Sequence, residues 1–174
     1  MKILIAGRTA SGKDHFVRLL EKNGLTSVQS RTTRPKRGDN DRSHLFVSKE
    51  EAAQQTNRIA ETTINGYEYY VLKEDLQHKD LYVIDPNGIM NLITNVPDET
   101  FLLVYMGASE QTRKQRYMDR LYQHNPNIST AKANEEFLAR QSSEDEQFSW
   151  FEEQFIHPSD EAMNDESYLD FRKH

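Results

Sequence analysis

One short stretch constrains this chain more than any other: Gly7-Arg8-Thr9-Ala10-Ser11-Gly12-Lys13, which fits G-x-x-x-x-G-K. It follows an apolar run, Lys2 to Ala6, that reads as a buried parallel strand. It opens a segment with Phe16, Val17, Leu19 and Leu20 at helical spacing, ending at Asn23-Gly24. A strand–loop–helix of this kind has a specific physical use. Glycines let the backbone curl so that successive N–H groups converge on phosphate oxygens, and the helix N-terminus adds partial positive charge. Lys13 then reaches the outer phosphates, and Gly7 through Asp14 form the candidate triphosphate site. A chance glycine turn is the alternative, and the flanking strand and helix argue against it.

Asp14 stands where the motif has a Ser or Thr hydroxyl for Mg²⁺. A carboxylate is also a hard oxygen donor, so Asp14 is a candidate metal ligand. It is equally suited to capping the helix start.

Further along, Leu25 to Ser30 reads as a second strand. Arg31 to Arg42 is rich in Arg, Asp, Gly and Thr without apolar periodicity, the signature of a functional loop. Ser48 with Glu51 predicts a capping box, and Asn65-Gly66 inside the alternating run Arg58 to Leu72 predicts a hairpin. Leu81 to Ile84 and Phe101 to Tyr105 read as buried strands. Ser109 caps a helix to about Tyr122, Asn125 to Asn127 breaks the chain, and Ser129 or Thr130 starts another helix to about Phe148. Gln154 to His157 reads as a fifth strand and Ser159 as the cap of a last helix. Alternating strands and helices predict a three-layer α/β fold, a parallel sheet flanked by helices with a small antiparallel insertion.

The chain has 174 residues, enough for one domain, and a net charge of -6 that argues against a general nucleic-acid binder. With no Cys there is no disulfide and no thiol chemistry. The scattered His residues lack metal-ligand spacing, which argues against zinc. No stretch approaches the ~20 apolar residues of a membrane span, so a cytoplasmic protein without membrane or nucleic-acid partners is expected. Trp150 with Phe148 and Phe151 reads as a packing cluster, and the acidic run Glu144 to Glu146 as a solvated face.

Ser30-Arg31-Thr32-Thr33-Arg34-Pro35-Lys36-Arg37-Gly38-Asp39 carries two arginines about a stiffening proline. Arginine forks suit a phosphate monoester, although a solvated basic loop is also consistent with these residues. Here the sequence resembles the guanylate kinase family, whose S-x-T-T-R-x-x-R-x-G-E-like stretch binds the acceptor nucleotide. The resemblance implies that Arg34 and Arg37 grip the acceptor phosphate and that Ser30 touches the base. Ala60-Glu61 with Gly66 and Tyr69-Tyr70 looks like the family's acidic residue and G-x-Y-Y hairpin. That implies Glu61 at the guanine N1–H and N2–H₂ donors and Tyr70 at the acceptor phosphate. Ile84-Asp85-Pro86-Asn87-Gly88 looks like the family's I-D-x-x-G segment, with Asp85 near Mg²⁺ or the acceptor. Arg116 and Arg120, four apart, and Arg140 match the arginines that surround the transferring phosphate.

The resemblance therefore implies an ATP- and Mg²⁺-dependent nucleoside monophosphate kinase acting on small-molecule nucleotides, GMP or dGMP first. It implies a single domain with a core at 1–30, 76–115 and 141–174, an acceptor-binding insertion at 31–75 and a lid at 116–140. Three departures touch the acceptor site: His44 replaces a tyrosine, Val71-Leu72 replaces G-[ST], and Val83 replaces an aspartate. They leave open a kinase of another deoxynucleotide or of a non-nucleotide acceptor. Asp14 leaves open an inactive nucleotide-binding module, against which the retained Lys13 and arginines argue.

Overall fold

The computed structural model describes residues 1–156 except 37 and 40. Arg37, His157 and the expected Ser159 cap lie outside the described residues. In chain order the elements are β1 (Lys2–Ala6), α1 (Lys13–Lys22), β2 (Arg31–Thr32), β3 (Leu45–Phe46), α2 (Lys49–Gln54), β4 (Arg58–Ile64) and β5 (Tyr67–Leu72). A 3₁₀ turn (Lys73–Leu76) leads to β6 (Leu81–Val83), α3 (Pro86–Asn95), β7 (Phe101–Tyr105), α4 (Glu110–His124) and α5 (Thr130–Phe151). They fall into two compact units, one of Met1–Ile5 with Val17–Val104 and one of Ala6–Phe16 with the described residues from 105 onward.

The first unit carries two sheets. One has the order β6-β1-β7, with β1 parallel to β6 and Leu4 opposite Tyr82. Bonds from Lys2 N–H to Thr100 and from Met106 N–H to Ala6 ascend together along β1 and β7, as in a parallel pair. Leu4, Ile5, Leu81, Ile89 and Leu92 are buried, as apolar parallel strands and a helix covering them require.

The other sheet has the order β3-β2-β5-β4; β2 runs parallel to β3 and antiparallel to β5. Its β4–β5 hairpin turns on Asn65 and Gly66, with φ of 52° and 76°, the left-handed pair of a type I′ turn. Ser48 and Glu51 form the expected reciprocal capping box at the start of α2. Ala52 of α2 packs with Tyr70, Leu72 and Val47.

Two expectations in this unit need correction. Leu25 to Ser30 is not a strand: a single bridge joins Ser27 to Leu81. Thr26 is tied to Asp80 by backbone and side chain, and the chain then leaves for the second sheet, so pairing stops after one residue. The supposed loop from Arg31 opens with β2 instead. Asp85-Pro86, just past the expected strand Leu81 to Ile84, starts a helix. Asp85 accepts from Gly88 N–H at 3.1 Å as N-cap and Pro86 takes the first helical position.

In the second unit, Ser109 caps α4 and Ser129 caps α5 as expected. Tyr117 and Phe137 meet between these helices with ring centroids 5.6 Å apart. The strand expected at Gln154 to His157 is absent over its described part. Glu152–Ile156 continues α5 as a π-turn, with Glu152 N–H donating to both Phe148 and Ser149 carbonyls. Trp150, Phe151 and Phe155 meet edge-on or tilted there, which favours a coiled chain over an extended one. Among the described residues, no helix is long and apolar enough to cross a membrane.

Candidate functional site: a phosphate loop and an acceptor-side cluster

The phosphate loop leaves β1 at Gly7, whose φ of 147° is open to glycine and strained for other residues. A Cβ there would lie 2.5 Å from the Met106 carbonyl oxygen. The loop closes through Ala10 and Gly12, with φ of 62° and 110°, onto the N-terminus of α1. The Lys13 ammonium folds back over the loop and donates to the carbonyls of Gly7 at 2.5 Å and Arg8 at 3.0 Å. Burial pushes Lys13 down to about 8, against the opposing pull of Glu144 and Asp14.

A cavity of about 260 Å³ opens over this loop. It is bounded by Thr9, Ala10, Gly12 and Lys13, by Asp14 and His15 of α1, and by Arg116 and Arg120 of α4. Arg116 donates to the carbonyls of Ala10 and Ser11 at 3.3 and 3.2 Å, which fixes α4 against the loop. Arg120 lies over the Tyr117 ring. Arg140 of α5 donates from Nε to Thr9 Oγ1 at 3.0 Å.

Carboxylates of α5 also reach the loop. Both oxygens of Glu144 accept from Thr9 N–H, at 2.9 and 3.0 Å. Glu144 is 5 % exposed, so the expectation of a solvated face is wrong for it. Helix cations within reach supply a reason to bury it: Arg140 Nε of α5 lies 3.2 Å and Arg113 Nη1 of α4 3.9 Å away. Arg8 forks onto Glu152 with two 2.8 Å bonds and pairs with Asp145. Burial raises Glu152, yet the bonds from Arg8 and Tyr105 outweigh it and hold the carboxyl below its ordinary value. Glu144 and Arg113 escaped the sequence reading; the usable signal was the Arg140–Glu144 spacing of one helical turn.

The residues expected at the acceptor lie in the first unit. Ser30 Oγ and His44 Nδ1 are 2.8 Å apart, and the His44 ring meets Phe46 and Tyr69 edge-on. Arg34 pairs with Asp41 at 3.1 Å and lies over Phe46. Ser30, Arg34 and His44 thus gather about one aromatic patch. Thr32 stands opposite both Phe46 and Tyr69, whereas Arg31 stands opposite Tyr70. Alternation therefore puts Tyr69 on the face of the sheet with Phe46 and Tyr70 on the other. Tyr70 is completely buried beside α2 with Arg58 over its ring, and its hydroxyl has no partner among the described residues.

Glu61 sits at a register shift in β4 after Ala60, whose φ is 54°. Asn91 of α3 holds the Glu61 N–H at 3.0 Å, and the Glu61 carboxylate pairs with Arg58 at 2.8 Å. Asp85 is committed to capping α3, and burial raises its pKa.

Solved structures match the fold. The chain is similar to the crystal structure of guanylate kinase from Anaplasma phagocytophilum, with a TM-score of 0.52 and 21 % identity over 76 % of this chain and 72 % of that one. The fold is guanylate kinase-like. No protein-family model matches the sequence, and no curated protein does. At this identity the guanylate kinase-like fold is what the likeness establishes.

The loop also has a donor suited to Mg²⁺. The Asp14 carboxylate borders the cavity and forms no hydrogen bond with a described residue. Mg²⁺ beside a polyphosphate needs only one or two protein carboxylates, so a single Asp fits. Asp85 fits less well, because its carboxylate is engaged at the α3 cap.

Proposed function

We propose that the protein transfers a phosphoryl group from MgATP to a nucleoside monophosphate, with GMP and dGMP the first candidates. The observation that carries this reading is the curled phosphate loop, with Lys13 turned into it and Arg116 and Arg120 bordering the same cavity. Such a loop meets a triphosphate with backbone N–H groups and a lysine, the arrangement phosphoryl transfer needs for positioning and charge stabilisation. Lys13, Arg116, Arg120 and Arg140 act as the cations around the transferring group. Asp14 would hold Mg²⁺, which would supply charge neutralisation at the phosphates. Residues 116–140 serve as the lid that excludes water and suppresses ATP hydrolysis.

On the acceptor side, 31–75 is the acceptor-binding region. Arg34 and Arg37 take the monophosphate and Glu61 reads the base, with Ser30, His44 and Asp85 around them; Tyr70, buried on the other face of the sheet, does not reach the acceptor as the resemblance implied. ATP and nucleotide pools make the cytoplasm the expected compartment. The bond between Ser30 and His44 favours a second reading, in which the acceptor is another deoxynucleotide or a non-nucleotide phosphate, because Ser30 already has a partner.

An ADP-release assay over GMP, dGMP, AMP, dTMP and dCMP tests both readings. Turnover highest with GMP or dGMP is expected. A pyrimidine nucleotide as best acceptor moves the assignment to the second reading, and no turnover with any of them contradicts the monophosphate kinase.

A further inference from the structure

Glu144 has contacts that the proposed reaction does not by itself require. It lies in α5, is almost wholly buried, and accepts from the backbone of the phosphate loop at Thr9. The same carboxylate faces Arg140, four residues earlier on the helix, which also donates to Thr9 Oγ1. Nε of Arg140 is thus held from two sides. Its two terminal nitrogens make no hydrogen bond with a described residue.

A guanidinium gripped by its inner edge keeps its outer fork for a phosphate. Lys13, Arg113 and Arg140 surround this one carboxylate, so the cluster stays net cationic. We infer that Glu144 is a positioning residue of the triphosphate site, bridging the Thr9 amide and Arg140 so that the Arg140 fork faces the bound phosphates. This rests on the reading of the loop as a triphosphate site.

The substitution Glu144→Gln removes the charge and keeps the shape. Its carbonyl oxygen still accepts from Thr9 N–H, but the ion pairs that hold Arg140 and Arg113 are lost, leaving Arg140 tethered only through Thr9 Oγ1. Calorimetric titration with MgATP, and separately with inorganic tripolyphosphate, is made on the wild type, Glu144→Gln, Arg140→Ala and the double variant. Glu144→Gln is expected to weaken binding about tenfold in the parent, yet change it within about twofold once Arg140 is gone. A structural role would lower affinity equally in both backgrounds.

Equal losses, no loss, tighter binding, or a wild type that binds neither ligand would each overturn the inference. Absence of turnover with every monophosphate would sink the kinase reading and leave these titrations decisive. Arg113 is buried, its Nε and Nη1 make no hydrogen bond with a described residue and Glu144 is its ion-pair partner, so loss of the Glu144 charge threatens folding. Should near-ultraviolet circular dichroism show Glu144→Gln unfolded, Glu144→Asp replaces it. It keeps the charge for Arg113 but is one methylene too short to bridge, and the same outcomes decide.

Discussion

At the scale of single residues, Lys13 carries the most chemistry. Among the described residues its ammonium hydrogen-bonds to the Gly7 and Arg8 carbonyls alone, and burial holds its pKa near 8, well below an ordinary lysine. The sign follows directly. From about pH 8 to the unfolded value of about 10.4, the unfolded chain holds more protons, so this group's contribution to stability rises with pH. Phosphate binding needs the opposite, a charged Lys13. MgATP affinity should therefore fall from about pH 7 to about pH 9, and binding near pH 8 should take up a proton. Titration in buffers of different ionisation enthalpy measures that uptake; Lys13→Ala should abolish it and lower turnover about a hundredfold or more. Uptake that persists in the variant would assign the proton to another group. The spacing of glycines and lysine made Lys13 readable from sequence. Glu144 was not, because an acidic run on a polar helix looks solvated until the partner across it is known.

Elements hold these side chains at fixed angles, and two of them give tests. The register shift in β4 aims Glu61, and Asn91 of α3 pins its backbone. Asn91→Ala removes one hydrogen bond, so the acceptor KM should rise about fivefold with kcat nearly unchanged. An unchanged KM would detach Glu61 from acceptor binding. Gly7→Ala drives a Cβ into the Met106 carbonyl and strains a backbone at φ 147°, so it should cost roughly 1–3 kcal/mol in stability and abolish MgATP binding. Thermal melting and calorimetry check the two parts. Where local rules act alone, the elements were legible: the Ser48–Glu51 box, the Asn65-Gly66 turn, the Ser109 and Ser129 caps. Where a distant partner decides, they were not. Leu25 to Ser30 has β-like residues but only one bridging position on Leu81, and the contact of Phe155 with Trp150 and Phe151 coils a segment that reads as extended.

For the whole molecule, a guanylate kinase-like fold follows from β1, the phosphate loop and α1, together with a second sheet that carries Ser30, Arg34 and His44. Strand alternation and the glycine loop announced that architecture; the second sheet was visible only as the small antiparallel insertion around the Asn65-Gly66 hairpin. Phosphoryl transfer moves one phosphorus atom from ATP to the acceptor. Phosphorus-31 magnetic resonance of the wild type with MgATP and GMP follows that atom directly. The account predicts that the γ-phosphate signal decays as a new β-phosphate signal of GDP grows in step with ADP. Growth of inorganic phosphate alone, or an unchanged spectrum with GMP and every other monophosphate, would contradict it.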